Sequence, residues 1–151
     1  MPTAPKRHGH TANGIKAARQ QYDRQRGAAH QRGYTKRWSD YSTQLCRERV
    51  FCELCATLGI DTPIVRAPEG QANGEIISIV DHIVPVENGQ HDTLFWEPSN
   101  HWCLCVECDR WKSITFDGGY GKPKRQAVRT LAGVQARRVE VVRERQARGV
   151  V

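Results

Sequence analysis

Two Cys-x-x-Cys pairs, Cys52-Glu53-Leu54-Cys55 and Cys105-Val106-Glu107-Cys108, carry the plainest chemical signal in this chain. At that spacing a tight turn lets both thiolates of a pair reach one Zn²⁺, and two pairs complete a tetrahedral site. With sulfur in all four positions the ion would be structural, because a catalytic zinc keeps a position open for water. The 49 residues between the pairs exceed the insert of a simple zinc ribbon, so the insert must contain folded structure. Inside it, Ile79-Val80-Asp81-His82-Ile83-Val84-Pro85 sets an acid beside an imidazole at the end of an apolar run. Such a dipeptide is common on surfaces and gains meaning only from its surroundings. Cys46 and Cys103 lie outside the pairs and are expected to be small core residues.

The elements that would position these groups can be read from periodicity and punctuation. Trp38, Tyr41, Leu45, Val50, Phe51 and Leu54 suggest a helix running towards Cys52. Pro68, Gly70 and Gly74 mark an exposed loop over residues 66–74, and the Ile and Val run from Ile76 to Val84 predicts a strand. A second short strand is expected at His101 to Leu104. A helix should follow from Val106 through Trp111 to about Thr115, stopped by Asp117-Gly118-Gly119. From Lys124 to about Arg148, Val128, Leu131, Gln135 or Val134, Val139 and Val142 recur at helical intervals among many arginines, as in a basic amphipathic helix.

In order and spacing, these pieces resemble the HNH endonucleases of the ββα-metal group, in particular small phage-type members with a four-cysteine zinc site. The resemblance runs from about Tyr34 to Arg125. It is carried by the two cysteine pairs, Val80-Asp81-His82-Ile83-Val84-Pro85, Leu94-Phe95-Trp96-Glu97-Pro98-Ser99-Asn100, Asp109-Arg110-Trp111-Lys112-Ser113 after the second pair, and Asp117-Gly118-Gly119-Tyr120-Gly121. The resemblance implies that His82 is the general base taking a proton from an attacking water. It implies that Asp81 ligates a catalytic Mg²⁺ or Mn²⁺. Asn100 would hold the loop and the His82 ring by hydrogen bonding, without transferring a proton. The family usually has His, or in some branches Asn, directly after the last cysteine, whereas this chain has Asp109. A carboxylate there would harden the site towards oxygen-preferring cations, or would mark a decayed enzyme.

The expected architecture is therefore α+β: a zinc-stapled HNH nuclease domain over 34–121, a flexible basic arm over 1–33 and a basic amphipathic helix over 122–151. Charge supports that division. Residues 1–40 hold nine Lys or Arg against two acids, residues 120–151 nine against two, and residues 41–119 five against twelve. Two basic flanks suit a phosphate backbone, whose neutralisation releases counterions whatever the base sequence. Arg110, Lys112, Lys122, Lys124 and Arg125 are the candidate phosphate contacts. Trp96, Trp102 and Trp111 are read mainly as packing residues, and His91 and His101 as ordinary histidines. The expected partner is DNA, and the resemblance to phage-encoded relatives adds terminase subunits. The expected location is the cytoplasm, since no apolar stretch suffices to span a membrane. The alternative function is a non-catalytic, zinc-containing DNA-binding or terminase-accessory protein.

Overall fold

A computed structural model of the chain describes residues 27–64, 79–119 and 125–149, together with Ala17, Gln20, Gln21, Arg24 and Gln25, which are helical. The expected loop at 66–74 and the first residues of the expected strand, 76–78, lie outside the described residues. So do Tyr120, Gly121, Lys122 and Lys124.

Helix α1 (Lys36–Glu48) turns Trp38, Ser42 and Cys46 inwards. These residues are four apart and so share one face. The helix ends before the expected Cys52, because Arg49 is extended. Val50 and Phe51 are exposed. Their backbone explains this, since Cys52 N–H donates to Thr62 O at 2.8 Å and Ile64 N–H to Val50 O at 2.9 Å. A narrow loop is thereby closed around the single turn α2 (Glu53–Ala56).

Strand β1 (Ile79–His82) pairs antiparallel with β2 (His101–Leu104), Asp81 lying opposite Trp102 and His82 opposite His101. All four residues of β2 are buried, which a two-stranded sheet attains only when other elements cover it. Helix α3 (Val106–Trp111) packs against both strands and runs into a π-helical turn, Lys112–Phe116. The wider turn replaces the regular end expected near Thr115. Asp117 N–H reaches Lys112 O at 2.7 Å, five residues back. Gly118 and Gly119, at φ 97° and 71°, then reverse the chain in a region that favours glycine.

Helix α4 (Leu131–Ala147) starts seven residues later than expected, where Thr130 Oγ1 caps Gly133 N–H at 3.0 Å. It buries Gly133, Val134, Arg137 and Val141, while Val128, Leu131 and Val139 are exposed. Of the expected apolar stripe Val134 is buried and Val142 packs partly against the core, while the centre of the inward face is Arg137. Gly33 is buried, and a Cβ there would lie 2.7 Å from Gln90 Cβ and 2.9 Å from the Phe95 ring. Gly33, the last residue of the expected arm, therefore packs against the folded body. Among the described residues no helix is long and apolar enough to cross a membrane.

Intrinsic propensity and tertiary packing make opposite predictions at Gly133. Alanine should favour a helix interior by about 1 kcal/mol. Its Cβ, however, would sit 1.9 Å from the Val128 carbonyl oxygen. Gly133→Ala is expected to lower stability by roughly 1–3 kcal/mol in denaturant unfolding; a stabilised variant would show that α4 does not dock this closely.

Candidate functional site

The two cysteine pairs meet although 49 residues separate them. The sulfurs of Cys52, Cys55, Cys105 and Cys108 lie within 4.8 Å of one another, and all four residues are buried. Cys55 Sγ is 3.8 Å from Cys105 Sγ and 3.5 Å from Cys108 Sγ. A Zn–S bond of about 2.3 Å places tetrahedral sulfurs about 3.8 Å apart, so the donor set fits Zn²⁺. Each pair is shaped by a helix start. Cys55 N–H donates to Cys52 Sγ at 3.5 Å across α2, and Cys105 occupies the cap of α3. Hydrogen bonding from Cys105 and Cys108 holds the Cys52 thiol down to about 3, and the bond with Cys105 pushes Cys108 up. A divalent cation supplies the positive charge that lets four adjacent thiols ionise together.

Asp81 and His82 close β1 opposite Trp102 and His101, at the end of the sheet away from the second cysteine pair. His82 is buried, its ring stacked on Trp38 with centroids 4.9 Å apart and planes 19° apart. Its Nε2 lies 3.0 Å from the Phe95 carbonyl oxygen. A carbonyl only accepts, so Nε2 carries the proton and Nδ1 is the bare nitrogen of the neutral ring. Burial pushes the imidazole below its usual range, and the Phe95 bond and the Asp81 charge partly restore it. The same carbonyl accepts from His101 Nε2 at 2.8 Å, and Tyr41 OH is 2.6 Å from His101 Nδ1.

Asn100 ends the short 3-10 turn Pro98–Asn100, immediately before β2. It is fully buried, with Nδ2 donating to Val84 O at 3.0 Å and Leu94 O at 3.1 Å. Its Oδ1 accepts from Val84 N–H at 2.8 Å. One amide thus ties both ends of the β1–β2 connection and fixes Phe95, whose carbonyl orients His82. Asp109 stands one residue after the last cysteine, half-buried on α3. Its carboxyl is pushed up to about 6, first by burial and then by the negative charge of Asp81, with Lys112 opposing.

Asp81 and His82 open onto a cleft of about 380 Å³ that is also lined by Tyr34, Ser113, Asp117 and Arg125. Asn100 and Asp109 are not part of that lining. No protein-family model, curated protein or solved structure matches the chain.

The expected phosphate contacts divide. Arg110 is exposed on α3. Arg125 is exposed but already bound, to Glu140 at 2.8 Å and Glu144 at 2.9 Å, with its guanidinium over the Phe116 ring. Lys122 and Lys124 lie outside the described residues. Lys112 corrects the expectation of a surface contact. It is 1% exposed, 2.8 Å from Asp81 Oδ2 and 2.7 Å from Asp117 Oδ2, and donates to His82 O at 3.0 Å. Its position three residues beyond Asp109 put it on the same helical face, a signal that the sequence did contain.

Sequence reasoning also missed Asp117, Arg137 and Trp38. Arg137 belongs to a basic run and reads as solvated there, yet its Nη2 is 2.5 Å from Asp117 Oδ1 and its Nε donates to Ile83 O at 3.0 Å. Trp102 is buried and gives its Nε1–H to Asp81 Oδ2 at 3.2 Å, while Trp96 lies beneath the Arg37 guanidinium. Cys46 and Cys103 are buried core residues with sulfurs 3.6 Å apart.

Two predictions follow from this geometry. Purified protein should hold one zinc per chain by elemental analysis, and a strong chelator should remove the metal and the circular-dichroism signature of folding together. Cys55→Ser should do the same, and a zinc-free chain that stays folded would refute the staple. The second concerns acid. Burial, chiefly, lowers His101 to about 4, against about 6.5 unfolded. The unfolded chain takes the proton first, so this contribution to stability is complete above about 6.5 and is lost as pH falls towards about 4. Asp109, with its raised pKa, acts in the opposite sense. The stability difference between wild type and His101→Gln isolates the histidine and should shrink steadily over that range; a difference independent of pH would contradict it.

Proposed function

We propose that this protein is a metal-dependent HNH-type nuclease that hydrolyses phosphodiester bonds in DNA. The observation that carries the reading is the setting of His82. A buried, neutral imidazole is held by the Phe95 carbonyl at Nε2, keeps Nδ1 for a proton, and stands beside Asp81 on a cleft. The order strand, tied loop, strand and helix, with Asn100 clamping the loop and Asp109 on the helix, agrees with it.

In this reading Nδ1 of His82 takes the proton from the attacking water, a role suited to a base that is neutral at physiological pH. Asn100 keeps the ring in register through Phe95. Asp81 and Asp109 would hold a divalent cation. Two carboxylates, one of them with a pKa raised partly by the charge of the other, form the kind of oxygen donor set that Mg²⁺ or Mn²⁺ shares with waters and substrate phosphates. When bound, such an ion supplies charge stabilisation to the phosphate and its leaving oxygen. The basic flanks would add sequence-independent affinity for the DNA backbone.

A second reading is a zinc-built DNA-binding protein without catalysis. It is favoured by the ion pair between Asp81 and Lys112, which already partners the first carboxylate of the centre. Supercoiled plasmid separates the two. Wild-type protein should cut with Mg²⁺ or Mn²⁺ and not with EDTA, and His82→Ala with full zinc content should lose at least about hundredfold in rate. Binding without cutting under every metal would select the second reading.

A further inference from the structure

We propose that Lys112 is the positioning residue of this centre: its buried ammonium holds Asp81 by one carboxylate oxygen and locks the backbone of the Asp81-His82 step. The inference rests on the nuclease reading above.

An ammonium has three donors and no acceptor, and all three of its partners here are identified. They are Asp81 Oδ2, Asp117 Oδ2 and the His82 carbonyl oxygen, at 2.8, 2.7 and 3.0 Å. Trp102 Nε1–H approaches the same Asp81 oxygen, so Oδ1 is the oxygen that neither donor uses. Behind Lys112, Asp117 turns its second oxygen to Arg137, which in turn donates to Ile83 O. Two successive carbonyls after Asp81 are thus each held by a buried cation, and one carboxylate bridges the cations. The π-helical turn makes this possible by bringing Asp117 back over Lys112.

Stability alone does not require such a group. Desolvating charged groups is expensive, and a whole buried ion cluster replaced by well-packed apolar side chains is often as stable or more so. What the charge supplies is geometry. It restricts Asp81 to coordination through a single oxygen and prevents His82 from shifting along the strand. It also opposes the carboxylates electrostatically, so it weakens the attraction of the free protein for a divalent cation. Loss of Lys112 should therefore separate two properties that fall together in a merely damaged enzyme: the metal binds more tightly while the chemistry slows.

The test is Lys112→Met, with zinc content and thermal melting as controls for folding. Mn²⁺ binding is measured by the free-ion electron paramagnetic resonance signal, and cutting is measured on supercoiled plasmid. Thiolates hold Zn²⁺ in preference to Mn²⁺, so the cysteine cluster does not contribute to the titration. Mn²⁺ affinity should rise at least about tenfold, while Mn²⁺-dependent cutting falls about hundredfold. Should the methionine variant not fold, Lys112→Gln, which removes the charge but keeps an N–H donor, carries the same expectations. In a folded, zinc-loaded variant, unchanged affinity or a parallel loss of affinity and cutting would overturn the proposal. Wild-type protein that never cuts would sink the nuclease reading instead, leaving the Mn²⁺ shift to decide the role of Lys112: a rise upholds it, and no rise overturns it.

Discussion

Four sulfurs from two distant knuckles meet within 4.8 Å, and the rest of the molecule is arranged around that convergence. A sheet of two four-residue strands cannot stabilise itself in water, and the buried core is small enough that six cysteines form a large part of it. In a body of this size a metal held by four thiolates contributes folding free energy directly. Bound there, it would tie α2 to the start of α3, and α3 covers both strands. Because Asp109 is the next residue after Cys108, the same tie sets where the helix presents its carboxylate.

A second constraint is electrostatic. Lys112, Asp117 and Arg137 are all buried, and with Asp81 they alternate in sign along a continuous chain of contacts. Each member would be costly alone, since an unpaired buried charge is far less tolerable than a paired one. Their mutual satisfaction joins α4 to the π-helical turn and to the end of β1. The C-terminal helix therefore backs the centre, and much of the basic character of the C-terminal segment is spent internally: Arg125 and Arg129 before the helix, and Arg137 and Arg138 within it, all have carboxylate partners. Net charge read along the chain overstates what such a helix offers to DNA.

The uneven legibility of the sequence has the same origin. Strand β2 was readable to the residue because a short apolar run between Asn100 and a cysteine pair has few alternatives. The start of α3 was readable because Cys105 must turn the chain at a knuckle. The end of α1 was not, since Val50 and Phe51 look apolar and helical. They are drawn out of the helix by backbone bonds to residues 62 and 64, which local periodicity cannot register. The buried face of α4 was only partly legible for a related reason: periodicity counts apolar side chains, and the centre of this face is an arginine whose partner lies 20 residues away.

From the sequence alone came the small α+β class with its four-cysteine cluster, because a ligand set is determined by residue type and a spacing that short loops must obey. The pairing of Asp81 with His82, and the offset of Asn100 before β2, were likewise written in residue order. Which charges are buried, which nitrogen of His82 keeps its lone pair, and which cation faces Asp81 were decided only by tertiary structure. Those properties depend on solvent exclusion and on hydrogen-bond partners brought from remote positions in the chain, and neither exists until the chain has folded.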